Sequence, residues 1–246
     1  MTNDNSKVAL VTGGSRGIGA AIALRLASDG ARVAVAYVSD LSAVESIVDQ
    51  VRAAGGIAAA FQSDLSDSDS PEKLTRQVVQ RFGRIDILVN NAGMAEFVPL
   101  ASVTADHIDR LFALNVRGLL LLSKSVVPHM APGGTIVNIG SGAAKATPPG
   151  ASVYAATKAA VAAITGSLAA ELGAAGITVN TVDPGVTDTD MLRSVFNEDM
   201  RAGFASRTAL GRVGIPDDIA RVVAFLASDD ARWVTGQVIG VNGGFK

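Results

Sequence analysis

The stretch KVALVTGGSRGIGAAIALRLASDG, residues 7–30, decides the fold. Residues 7–12 form a short, β-branched, apolar run without alternation, which predicts a strand buried on both faces of a parallel sheet. Gly13, Gly14, Gly17 and Gly19 follow, with Ser15, Arg16 and Ile18 among them, and the apolar spacing then becomes helical until Gly30. A strand, a glycine turn and a helix in that order leave unpaired backbone N–H groups where a phosphate can sit. The spacing is G-x-x-x-G-x-G, not the commoner G-x-G-x-x-G. A tight βα turn with no ligand is the plainer alternative, and the flanking strand and helix weigh against it.

Outward from this unit the pattern repeats. Residues 32–36 predict a second strand, 42–54 a helix, 57–61 a third strand, 72–81 a helix and 85–89 a fourth strand. A long helix is expected over 105–129, a strand over 135–139, a long Ala-rich helix from Ser152, and a strand over 177–182. A helix over 217–227 and a strand over 237–241 end the series. Seven strand–helix alternations imply one α/β domain spanning 1–246, a doubly wound Rossmann-type fold with a parallel seven-stranded sheet and helices on both faces. The polar segment 190–212 has no strong period and reads as a candidate lid.

The end of the second strand bears on nucleotide choice. An NAD site places Asp or Glu there to accept from the ribose 2′-OH, and here Tyr37 holds the place. Asp40 reads as the cap of the next helix. Arg16 and Ser39 are suited to the 2′-phosphate of NADP, so NADP(H) is preferred and NAD(H) possible; the alternative is that Arg16 points to solvent. Asp64 reads either as an adenine contact or as a turn cap. Asn90, Asn91, Ala92 and Gly93 close the fourth strand with amides and a glycine, as a ligand crevice at a topological switch point requires.

Ser141, Tyr154 and Lys158 form the candidate reactive set. Tyr154 and Lys158 are four apart on a helix and so share a face, and Ser141 lies on the loop after the 135–139 strand. A free tyrosine titrates near ~10, and a fixed cation nearby favours the phenolate. Spacing alone leaves open that the pair is plain helix surface. Asn115, inside the long helix, either bends it or holds a water near the reactive group.

Composition excludes several classes. The 246 residues are 48 % hydrophobic and 18 % charged, which supports a sizeable core. A net charge of −2 gives no electrostatic reason to expect nucleic acid or an acidic membrane surface. Cysteine is absent, so disulfides and thiolate chemistry are excluded. The polar start, MTNDNSK, lacks the features of a secretory signal, and the run 119–122 is too short for a bilayer, so a cytoplasmic protein is expected. His107 and His129 have no partners at metal spacing, so no metal is expected and no Ser-His-Asp hydrolase is visible.

Taken in order, TGGSRGIG (12–19), NNAG (90–93), Asn115, Ser141, YAATK (154–158), PG (184–185), GRVGIPDDI (211–219) and VNGG (241–244) resemble the short-chain dehydrogenase/reductase family. Within it, the chain is similar to the 3-oxoacyl-[acyl-carrier-protein] reductases over essentially its whole length. The resemblance implies that Tyr154 gives or takes the proton, Lys158 lowers its pKa and holds the nicotinamide ribose, Ser141 orients the carbonyl, and Asn115 holds a relay water. It implies cofactor contacts along Gly13, Ser15, Arg16, Gly17, Ile18 and Gly19, at Tyr37 and Ser39, at Asp64 and Leu65, and at Asn91, Ala92 and Gly93. Pro184, Gly185, Thr187 and Thr189 complete that set, with Tyr154 and Lys158. The implied activity is NADPH-dependent reduction of a ketone or 3-oxoacyl group on a small molecule, in a homotetramer. The alternative is oxidation of a secondary alcohol; a non-redox lyase or an NADP(H) sensor fits less well, because glycine turn, Ser141, Tyr154 and Lys158 are all present. Asn242 stands where the family more often has Asp.

Overall fold

The computed structural model describes residues 6–195 and 197–245; the polar start (1–5), Phe196 of the lid segment and Lys246 lie outside the described residues. Strands β1 (Val8–Thr12), β2 (Arg32–Tyr37), β3 (Ala58–Gln62), β4 (Ile87–Asn90), β5 (Thr135–Ile139), β6 (Thr178–Pro184) and β7 (Val238–Val241) make one sheet. Its order is β3-β2-β1-β4-β5-β6-β7, and every pairing is parallel.

Side chains of a strand alternate between faces, and here both faces are dry. In β1, Ala9 and Val11 enter one core while Val8 and Leu10 enter the other; β2 divides Val33, Val35 and Tyr37 from Ala34 and Ala36 in the same way. The first core is closed by α1 (Gly17–Ser28), α2 (Leu41–Ala53) and α10 (Pro216–Ala227), through residues such as Ile22, Val48 and Ile219. The second is closed by α3 (Ser70–Phe82), α5 (Leu119–Val126) and α7 (Ser152–Leu172), through Leu74, Leu122 and Ala169. The absence of alternation in the sequence therefore reports burial on two sides.

The expected helix over 105–129 is not continuous. It comprises α4 (Ala105–Phe112), a π turn (Ala113–Gly118), α5 and a short 3₁₀ turn (Val127–His129). The π turn has a local cause. The Asn115 side chain donates to the Met94 carbonyl (2.9 Å) and Thr157 Oγ1 (3.1 Å) and accepts from the Met94 N–H (2.9 Å). At the other end of the turn Gly118 passes so close to the Leu65 carbonyl that a Cβ there would lie 2.4 Å from it. These contacts hold the helix out of its regular ladder. By length and composition the 105–129 and 152–175 segments are long and apolar enough to cross a membrane, unlike the short run read from sequence, but both lay their buried faces on this sheet.

The lid segment also departs from its reading. It folds as α8 (Asp190–Val195) and α9 (Glu198–Ser206), which follow the short α6 (Ala143–Ala146) and α7 in the chain. Helices this short present no sustained apolar stripe. They are set by local devices: the Asn197 side chain caps α9 by accepting from Met200 N–H at 2.9 Å, and Arg193 pairs with Asp188 at 3.0 Å.

Candidate active site

The chain reverses its direction across the sheet between β1 and β4, and ligands of such sheets bind beyond the carboxyl ends of the strands at that point. Thr12 and Asn91 join the two ends. Thr12 Oγ1 donates to the Val89 carbonyl (3.2 Å) and accepts from the N–H groups of Asn91 (3.0 Å) and Ala92 (2.9 Å). Asn91 Nδ2 donates back to the carbonyls of Thr12 (2.8 Å) and Gly13 (3.1 Å). The Asn91 amide is thus part of the crevice wall.

The glycine turn packs onto this clamp. A Cβ on Gly19 would lie 2.2 Å from the Gly13 carbonyl oxygen and 2.5 Å from Asn91 Nδ2, so only glycine lets α1 begin here. The α1 N-cap, Arg16, makes no side-chain cap, and the first turn carries no acid. The leading N–H groups, on Gly17 and Ile18, stand at the favourable end of the helix dipole. Arg16 and Ser39 are exposed beside it, and Asp40 caps α2 by accepting from Ala43 N–H at 2.9 Å. No carboxylate therefore closes β2, and the site fits NADP. Tyr37 corrects one expectation: β2 runs one residue further than read, and its ring is in the core at 9 % exposure. Asp64 Oδ1 accepts from Ser66 N–H (2.9 Å) and Oγ (2.7 Å), the turn-cap alternative, and Leu65 is buried.

A buried polar ladder fixes α7 against the sheet. Asn90 Nδ2 donates to Asn138 Oδ1 (2.9 Å), Asn138 Nδ2 to Thr165 Oγ1 (2.8 Å), and Thr165 Oγ1 meets Thr181 Oγ1 at 2.6 Å. Such groups tolerate little displacement, because each would be left unsatisfied. The ladder places Tyr154 and Lys158 beside the end of β5. Lys158 Nζ is buried and donates to the Ile139 carbonyl at 2.8 Å. A methyl on Gly93 would lie 3.2 Å from Asn115 Oδ1 and 3.4 Å from Lys158 Nζ, so Asn115, Lys158 and Gly93 converge. Because the Asn115 amide is bonded to Met94 and Thr157, a water on this residue has to use the second lone pair of Oδ1 or the main-chain carbonyl.

The electrostatics differ from the expectation that Lys158 lowers the Tyr154 pKa. Burial pushes the Tyr154 phenol up, a side-chain hydrogen bond with Ser141 pulls it down, and the Asp183 charge pushes it up again. Burial lowers Lys158 to about 8, and the Asp183 charge opposes that fall. Desolvation is the largest influence on both groups. Asp183, read in sequence only as the start of a turn, is the residue that reading passed over. It lies in β6 at 3 % exposure, and its one signal was a charge at the end of a buried strand.

The remaining candidates line the same end. The Pro184 carbonyl accepts from Gly142 N–H at 3.0 Å, and Gly185 N–H donates to the Val241 carbonyl at 2.9 Å. A Cβ on Gly185 would lie 2.7 Å from Asn242, which places that unusual Asn in backbone packing. Thr187 Oγ1 donates to the Gly185 carbonyl (3.0 Å), and Thr189 rests against Gly17, 3.3 Å from where its Cβ would be. The Phe97 ring, half-exposed, leans on Tyr154 with centroids 6.1 Å apart. His107 is buried 3.6 Å from Glu96, and among the described residues no cluster suits a metal.

A dinucleotide crevice joined to the half-buried Tyr154 and the buried Lys158 on one face of α7 defines a nicotinamide-dependent oxidoreductase acting on C=O or CH–OH groups. Residues 13–246 match the family model described as enoyl-(acyl carrier protein) reductase. An uncharacterized oxidoreductase of Methylorubrum extorquens is 48 % identical over 248 residues, covering 100 % of both chains. Versicolorin reductase of Emericella nidulans is 41 % identical, covering 98 % of this chain and 96 % of its own. A Burkholderia cenocepacia short-chain dehydrogenase solved in complex with NADP superposes with a TM-score of 0.93 at 43 % identity, covering 97 % of each chain. The chain belongs to the short-chain dehydrogenase/reductase family.

The depressed lysine has a thermodynamic consequence. Between about 8 and 10.5, the unfolded chain holds a proton on Lys158 that the folded chain has released. Unfolding then takes up a proton, so stability rises with pH through this window. Urea unfolding of the parent and of Lys158→Met, compared at pH 7.5 and 10, is expected to show the parent gaining about 2–3 kcal/mol relative to the variant. A pH-independent difference contradicts a desolvated Lys158.

Proposed function

We propose that the protein is an NADPH-dependent reductase of a small-molecule ketone, with Tyr154 as the proton donor. The observation that carries this reading is the convergence of Ser141, Tyr154, Lys158 and Asn115 at the end of the crevice that begins at the glycine turn. NADPH, when bound, supplies the hydride. The chain supplies the rest: the Ser141 hydroxyl donates to the substrate carbonyl oxygen and orients it, and the Tyr154 hydroxyl delivers its proton to that oxygen. With its pKa raised by burial, the Tyr154 phenol carries its proton at neutral pH, the form a donor needs. Lys158 has N–H groups beyond the one on Ile139 with which to hold a ribose hydroxyl, and Asn115 holds the water that returns a proton.

Arg16 and Ser39, with no carboxylate between them, support NADP over NAD. For the substrate, the exposed face of Phe97 beside Tyr154 favours a flat, ring-bearing ketone over a flexible 3-oxoacyl thioester, although the latter fits the same chemistry. The relative named versicolorin reductase agrees with a ketone-reducing role. Assembly as a homotetramer is supported by the edge strand β7 and by Phe225 and Trp233 near it, the latter 98 % exposed.

Three measurements test this reading. Tyr154→Phe is expected to lower ketone-dependent NADPH oxidation by about 100-fold or more while NADPH still binds, as nicotinamide fluorescence reports; full activity would sink the proposal. Arg16→Ala is expected to weaken NADPH binding about ten- to a hundredfold and leave NADH binding unchanged; equal losses for both nucleotides would remove Arg16 from the 2′-phosphate. Light scattering after size exclusion is expected to give four times the 25.0 kDa chain mass, and a monomer would end the assembly proposal.

A further inference from the structure

Asp183 is a buried acid that the mechanism above does not use. It is 3 % exposed, and its Oδ1 accepts the Ser141 N–H at 3.1 Å. The neighbouring strand makes room for it: a Cβ on Gly140 would lie 2.0 Å from that oxygen, so no larger residue at 140 is compatible with a carboxylate here. Titratable groups act on it from two helices. Lys145 faces it from α6, and Lys158 and Tyr154 face it from α7. Across the sheet its register partner on β7 is Gly240, which carries no charge. A buried carboxylate with one main-chain donor is costly: burial pushes the Asp183 carboxyl up, while Lys145, the Ser141 N–H and Lys158 pull it down, in that order. Of the two cations, Lys158 is the buried one.

We propose that Asp183 is a positioning residue of this centre: it fixes the Ser141 main chain and supplies the counter-charge that keeps Lys158 protonated in the dry pocket. The inference rests on the catalytic reading of Tyr154 and Lys158, and deepens it. Two buried charges of opposite sign sustain each other, so removing the anion leaves an ammonium held only by the Ile139 carbonyl. The same carboxylate disfavours the phenolate of Tyr154 and so keeps the donor proton on it. One side chain thereby holds Lys158 charged and Tyr154 neutral, the pairing that carbonyl reduction requires.

Asp183→Asn separates the two roles, because the amide oxygen still accepts from Ser141 and the shape beside Gly140 is kept. The direct readout needs neither substrate nor nucleotide: NMR titration of the chain labelled with ¹³Cε-lysine, with the Lys158 signal assigned by its loss in Lys158→Met. The parent signal is expected to titrate near 8, and in Asp183→Asn to fall by about one unit or more. In turnover, the alkaline limb of the reduction rate is expected to move down by a similar amount. Asp183→Ala, which cannot clash with Gly140, should shift Lys158 likewise and in addition raise KM through the loosened Ser141. An unshifted Lys158 in both variants overturns the proposal, as does a chain in which Asn behaves as the parent and Ala alone is impaired. If instead Lys158 shifts while Tyr154→Phe retains activity, the charge balance stands and the catalytic reading falls.

Discussion

The structure depends on the hydrogen-bonded clamp between Thr12 and Asn91. It joins the ends of the two strands between which the chain changes direction, and it satisfies main-chain groups that a switch point otherwise leaves unpaired. Each bond contributes only about 0.5–1.5 kcal/mol net, small beside the two cores, so the clamp is not what keeps the chain folded. Its effect is on position. Asn91 Nδ2 stands where a Cβ of Gly19 would be, so the clamp, the glycine turn and the start of α1 share one volume. The main-chain N–H groups of a phosphate site have to be placed by such contacts, because backbone cannot adjust as a side chain can.

From this floor the polar ladder Asn90–Asn138–Thr165–Thr181 carries position outward to α7. The ladder puts amides and hydroxyls where apolar residues would pack as tightly. What it adds is direction, since a hydrogen bond fixes register where a methyl contact allows sliding. Tyr154 and Lys158 gain their setting this way, and that setting is dry. In it, every ionisable group is driven toward its neutral form, and each charge that persists does so because of another charge. The pocket is therefore a coupled set, in which a change at Asp183 is felt at Lys158 and at Tyr154.

Much of this was legible in the sequence. The seven strands were readable because a strand buried on two sides shows as an unbroken apolar run, and the crevice because glycines and amides fell at the ends of the first and fourth strands. The helix cap at Asp40 was readable because capping is local. What was not legible depends on approach through space. The π turn arises from Asn115 meeting Met94, 21 positions away, and from Gly118 meeting Leu65. Tyr37 was placed one residue past its strand, because strand ends are set by pairing with the next strand, here Gln62, and not by composition. The helices of the lid were missed because six and nine residues are too few for a period to show. Asp183 looked like turn punctuation before Pro184, and only its burial gives it a different meaning.

The floor and the roof of the site are held by different physics. Below, buried hydrogen bonds and two cores leave no inexpensive displacement. Above, α8 and α9 are tied by ion pairs of Asp188 with Arg193 and Arg201, all at least partly exposed, by the Phe204 ring against Phe245, by the buried Leu192, and by the rest of Thr189 against Gly17. Exposed ion pairs contribute little to stability, and a single methyl contact contributes less than a packed side chain. The segment that carries α8 and α9 thus lacks the buried hydrogen bonds that position the reactive groups.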